Sequence, residues 1–455
     1  MEIGKYIVEK ALKLGADDVV CNIKDDLEKQ VKFVNNQVAV FTTWNTTNAS
    51  VFLSYKKRLV GSSLDTPENM ETMTPLHGLS LKKENVDKFL EKLIKTAKIL
   101  EPKKDYFGIA DGRFKYKKIP DSYDKKIEKG GKEIDFVQDA IDAAIKEGAK
   151  RTAGVLYTDV WKNKIFSSNG IEAEDKGTSI NLSIRSFAEE KDASGHTVSV
   201  ARTLKKFEPE KAGKESGMHA KQSLNPSDGY SGKYTAILHP MVIANILYYM
   251  SYAFSAFEVD SGMSFLIGKQ NKKIANNIVN LKDDGRLANG FGSRSFDDEG
   301  RPTQATDLIK NGVFKNFLHN TSTAKKFKTK PTGNAGLIYP QPWNIVLEKG
   351  DRTVDEMVSE VKDGVYITNV WYTRFANYRT GDFSTIPRDA MFEIKNGRIT
   401  RPIKGLRITD NMQRILENII AISKNPQQIE WWEITSPIIT GHVLVKDLNL
   451  TKSAK

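Results

Sequence analysis

Apolar residues recur every three to four positions over residues 3–14, which predicts an amphipathic helix, and Gly15 can take the left-handed conformation that ends it. Residues 30–34, 38–41 and 50–54 are short β-branched and aromatic runs. The turn signals Asn35-Asn36 and residues 45–48 separate them, so antiparallel hairpins are expected. Val86, Phe89, Leu90, Leu93, Ile94 and Ala97 share one helical face, and residues 134–145 form a further helix closed by Gly148. Strand patterning returns over 155–159, 164–167 and 178–187, with Asn169-Gly170 as the strongest turn signal among them.

The turn-rich run 225–229 has no regular period and marks the expected domain boundary. Beyond it lie short strands broken by Gly, Asn and Asp, with helices expected over 241–257, 354–361 and 412–422. Thr353 and Glu356 have the spacing of a capping box. The whole reads as an α+β protein of two domains. Residues 1–225 carry antiparallel sheet and helices, and 226–455 are β-rich with a few helices.

A hydrophobic share of 39% and a charged share of 28% describe a folded globular chain. Residues 234–257 carry no formal charge, yet His239, Pro240, Asn245, Ser251 and Ser255 would lack partners in lipid. A buried strand and helix are expected there, with no membrane partner. The net charge of +12 raises the question of a polyanion. Over 82–132, which supplies much of it, acids interleave with the lysines, so a solvated lysine-rich helix and linker are expected and nucleic acid is not. Cys21 is the sole cysteine, which excludes an intrachain disulfide and a Cys-rich metal cage. The first residues show an early acid and no signal-peptide core, so a cytoplasmic protein is expected.

The six histidines, at 77, 196, 219, 239, 319 and 442, are too far apart to place two on adjacent helical turns, and none neighbours a glutamate. A zinc-protease helix, with two imidazoles on one face and an adjacent general base, is therefore absent as a local motif. P-loop, nucleophile-elbow and dinucleotide signatures are absent too. What stands out is Asp297, Asp298, Glu299 and Gly300, three acids and a turn glycine. Such a run can hold a hard cation, place a general base or solvate a turn.

That run, continued through Arg301-Pro302-Thr303-Gln304 and Leu308 to Val313, resembles the C-terminal region of the TldD/PmbA family. Thr332-Gly333-Asn334-Ala335, Leu347 to Asp351, Thr380-Gly381-Asp382-Phe383-Ser384 and Ile394 to Gly397 follow in that family's order. Ser168 to Gly170, Gly232 to Pro240 and the hairpin 50–63 also look like its segments. In that family one subunit type, TldD, carries a His-Glu-x-x-x-His zinc helix and a distant cysteine ligand. Its paralogue PmbA, or TldE, lacks them. By approximate register the helix after Pro240 places Tyr248, Tyr249 and Tyr252 at those positions, and the near-terminal segment around Thr435 has no cysteine. A phenol is a poor neutral zinc ligand and, with a pKa near ~10, a poor base.

The resemblance implies a TldE-like subunit with no metal and no catalytic residue of its own. It would pair with a zinc-bearing TldD-like subunit and enclose a chamber for unfolded or short peptides. Asp297 to Gly300 and Gly381, Asp382, Phe383 and Ser384 would lie near that chamber or serve as structural turns. Two alternatives remain open. One is a homodimeric metallopeptidase with a site built from His239, His319 and the acids 297–299; the other is a DNA-linked role, after the family's older label as a modulator of gyrase.

Overall fold

The structure, a computed structural model, describes residues 2–65, 81–188 and 193–452. His77 lies outside the described residues. Six antiparallel strands form the first sheet: β1 (Asp18–Val34), β2 (Gln37–Tyr55), β3 (Arg58–Asp65), β4 (Arg151–Ser167), β5 (Glu172–Phe187) and β6 (Ser194–Ala201), in the order 3-2-1-4-5-6. Alternation sets which face is buried. Val19, Cys21 and Ile23 point to α1 (Ile3–Lys13) and α2 (Lys83–Ile99), forming one core. Farther along β1, Val31 and Phe33 join a second core with α4 (Glu133–Lys146), which follows the single turn α3 (Lys125–Lys129).

The strands are longer than the apolar runs suggest. Asn35 and Asn36, at φ 53° and 62°, make the β1–β2 turn as expected. Asn45 to Asn48, expected as a turn, lie inside β2 and pair residue for residue with Leu27 to Lys24 of β1. Neither face is a dry core at that point, so polar side chains cost little and backbone pairing with β1 decides.

The second half holds two more sheets. A six-stranded one runs from Val313–Phe314 at one edge to Gln427–Trp431 at the other, and a ten-stranded one begins at the edge strand Val370–Asn377. Strand Gly232–Leu238 pairs parallel to Asp363–Ile367 and antiparallel to Val443–Lys452, then runs into α6 (Pro240–Ser251). Every residue of α6 except Tyr249 is buried, which explains the uncharged stretch. The helix expected over 241–257 is broken by a 3-10 turn at Tyr252–Phe254 before a last turn at Ala256–Asp260. The helix expected over 412–422 stops at Asn418, because the β-branched run Ile419–Ile422 pairs with Val443 to Val445. Among the described residues no helix is long and apolar enough to cross a membrane.

Candidate functional site

The last turn of α6 gathers hydroxyl groups. Tyr248 Oη lies 2.6 Å from Tyr252 Oη and 2.9 Å from Thr435 Oγ1, so helix and near-terminal strand meet at this point. Tyr249, on the exposed side, accepts from Arg374 Nη1 at 2.9 Å. Beneath them the buried Glu433 accepts the Tyr372 N–H at 2.7 Å and an Asn245 amide N–H at 3.3 Å, and so holds the bulge at Tyr372 in the edge strand. Burial pushes Tyr249 and Tyr252 up, and for Tyr252 the bond to Tyr248 adds to it. Both phenols are neutral. Counted strictly from Tyr248, a His-Glu-x-x-x-His spacing ends on Ala253, not Tyr252; the side chain that meets Tyr248 is Tyr252, four residues on, as helical geometry requires. Neither residue offers a nitrogen, sulfur or carboxylate donor. This donor set does not fit zinc.

The acidic turn is not solvated, contrary to the plainest expectation for three consecutive acids. Asp297 is 1% exposed and accepts the N–H groups of Glu299, Arg301 and Ala335 at 2.9–3.0 Å. Glu299 accepts from Thr321 N, and Asp298 pairs with Arg294 at 3.0 Å. Burial pushes Glu299 up to about 7 and raises Asp297, against the pull of its three N–H donors. Asp297 and Glu299 thus fasten different backbone segments, and Asp298 holds the Arg294 side chain. Gly300, at φ 82°, turns the chain beneath Ile171, and its carbonyl accepts from Tyr116 at 2.7 Å. The other loop divides likewise: Gly381 packs on Phe265 at φ 83°, Phe383 is core, Asp382 accepts from Thr380 and Asn411, and Ser384 accepts from Arg407.

His239 and His319 are in different surroundings. His239 contacts Glu215, His219 and His442, whereas His319 packs on Phe327 and bonds Thr323. Among the described residues no group of three or more His, Cys, Asp or Glu is arranged to hold a metal ion.

Sequence spacing gave no sign of one arrangement. Ser183 Oγ lies 2.8 Å from His196 Nε2, His196 Nδ1 lies 2.9 Å from Asn369 Nδ2, and Asn369 reaches the buried Asp389 at 2.8 Å. It has the outline of a hydrolase triad and the opposite polarity. Asn369 Oδ1 accepts the Val370 N–H, so its Nδ2 donates to both Asp389 and His196. Nδ1 is therefore the acceptor, Nε2 carries the proton and donates to Ser183, and the ring cannot take a proton from that hydroxyl. Burial pulls His196 down to about 4, which keeps it neutral.

With this geometry in view, comparison with known proteins is informative. The PmbA/TldA metallopeptidase C-terminal domain matches residues 231–452, and the central domain of the same description matches 119–224. A protein named metalloprotease from Methanothermobacter thermautotrophicus is 28% identical over 305 residues, covering 64% of this chain and 66% of its own length. The metalloprotease PmbA of Escherichia coli O157:H7 is 24% identical over 323 residues, covering 70% and 69%. The crystal structure of TldE from Thermococcus kodakarensis superposes with a TM-score of 0.84 at 19% identity, over 98% of this chain and 99% of that one, and shares the fold.

Proposed function

The chain belongs to the PmbA/TldD metallopeptidase family, and from that premise we propose that it is the TldE-like, non-hydrolytic subunit of a two-subunit zinc peptidase acting on unfolded or short peptides. The observation that carries this is the hydroxyl cluster of Tyr248, Tyr252 and Thr435 at the end of the helix where the family pattern calls for imidazoles and a thiolate, with Ala253 at the strictly counted second-histidine position. Water becomes a nucleophile at neutral pH when a bound metal lowers its pKa, and phenol hydroxyls bonded to one another are poor ligands for that metal and a poor base. The zinc, the hydrolysis and the metal-bound water belong to a TldD-like partner. This subunit supplies wall, in which the exposed edge strand Val370–Asn377 beside Tyr249 has backbone groups suited to an extended peptide.

Two measurements on purified protein test this. The chain alone is expected to retain no stoichiometric zinc after dialysis, by elemental analysis, and to leave an unfolded peptide intact. Adding a TldD-type subunit is expected to give cleavage and a co-eluting complex. Zinc-dependent cleavage by the isolated chain would sink the reading.

A further inference from the structure

A cavity of about 310 Å³ lies between β6, the last strand of the first sheet, and Gln427–Trp431, an edge strand of the six-stranded sheet. Val198, Val200, Leu287 and Ile439 give it apolar walls, and Glu215 and Lys206 stand among its polar lining. Its size is at the small end for a ligand site.

Glu215 sits on α5 (Pro209–Gln222). Its Oε1 is 3.0 Å from Nε2 of the fully buried His239. His239 Nδ1 already accepts the Met241 N–H at 3.1 Å, as the N-cap of α6. The ring proton is therefore on Nε2 and donates to Glu215. The helix cap fixes the tautomer, and the tautomer fixes the carboxylate. Burial would push Glu215 up, but the surrounding histidines, foremost the His239 N–H that donates to it, hold the carboxyl below its ordinary range, so it is ionised at neutral pH. Oε2 has no hydrogen-bond partner among the described residues, while the side chain retains 21% exposure beside the cavity. A cation is what this oxygen lacks. The lysines argue against a simple one: Lys206 pairs with no acid among the described residues, and Lys211, bound to Glu208 at 3.1 Å, lines the same space. Opposite charges set around apolar walls match a dipolar molecule.

We propose that this cavity binds a small zwitterionic peptide, its ammonium on the free Glu215 oxygen and its carboxylate toward Lys206. The choice of ligand rests on the peptidase reading above, because hydrolysis of a peptide bond creates one new ammonium and one new carboxylate. The pocket is thus a product or exit site at the junction of the two halves.

Titration calorimetry of the full chain with Ala-Ala, N-acetyl-Ala-Ala and Ala-Ala amide tests it. Ala-Ala is expected to bind one to one; N-acetylation and Glu215→Gln are each expected to weaken it about tenfold or more, as loss of a charge pair does. Glutamine keeps an oxygen for the His239 N–H, so an unchanged melting temperature certifies the fold. Lys206→Ala is expected to weaken Ala-Ala and to leave the amide unaffected. No binding by wild type, equal binding of the acetylated dipeptide, or indifference to Glu215→Gln overturns the assignment. Cleavage by the two-subunit complex is scored separately: cleavage without dipeptide binding sinks only the pocket, and dipeptide binding without cleavage sinks the subunit reading.

Discussion

Arg202 shows what one side chain can carry. It is 1% exposed and faces no carboxylate; its guanidinium donates to the carbonyls of Thr178, Ser122 at 2.8 Å, Ser293 at 3.0 Å and Gly290 at 3.2 Å, with its plane near Trp161. Four carbonyls from three segments of the chain share one cation. Arg202→Met is expected to leave them unpaired and to cost about 3 kcal/mol or more in urea denaturation, and Arg202→Lys to recover only part, since an ammonium cannot reproduce the fork. Glu430 makes a pH prediction. Burial pushes its carboxyl up to about 8 from an ordinary 4.5, with the Asn181 amide opposing. The folded state therefore holds a proton that the unfolded chain has released. Its contribution is fully present below 4.5 and is lost between 4.5 and 8, at up to about 1.4 kcal/mol per pH unit, after which the slope vanishes because both states have released the proton. The urea midpoint is expected to fall between pH 5 and 8 in wild type and to fall less in Glu430→Gln; parallel slopes would refute it.

Elements were legible where apolar periodicity and burial coincide. The helices expected over 3–14 and 134–145 appear as Ile3–Lys13 and Glu133–Lys146, and the capping box is present, with Thr353 Oγ1 accepting the Glu356 N–H and Glu356 accepting the Thr353 N–H. The long strands were not, because a sheet exposed to polar surroundings over part of its length needs no alternation there, and local composition then reads as loop. α5 was missed for a related reason. Its sequence is glycine-rich and polar, and its glycines are what lets it lie against α4: a Cβ at Gly213 would sit 2.0 Å from Ala140 O and one at Gly217 2.4 Å from Ala144 O. Helix propensity alone favours Gly213→Ala by about 1 kcal/mol. Overpacking against a carbonyl that cannot move outweighs it, so the variant is expected to lose about 2 kcal/mol in denaturant unfolding. A stabilised variant would mean that the two helices separate easily.

At the scale of the molecule, the ordered motifs led to the family and hence to the fold, but which residues would meet across the two halves was beyond reach. Arg185–Asp389, His196–Asn369, Glu215–His239 and Arg202–Ser293 are each more than 20 residues apart in sequence and consist of side chains common on any surface. They also determine how the chain comes apart. The Asp389 side chain is fully buried and accepts from Arg185 and Ser194 of the first half, so separating the halves takes from a carboxylate, a guanidinium and two imidazoles the partner that each has in the other half. Each lost contact costs about 1–3 kcal/mol, more when charged, which together is comparable to the whole stability of a domain. The halves are therefore expected to melt as one cooperative unit. Calorimetry of the full chain should show a single transition whose calorimetric and van't Hoff enthalpies agree. Asp389→Asn, which keeps the shape and removes the charge, should lower that transition without splitting it. Two resolved transitions in wild type would show that the buried polar contacts position the halves without coupling them.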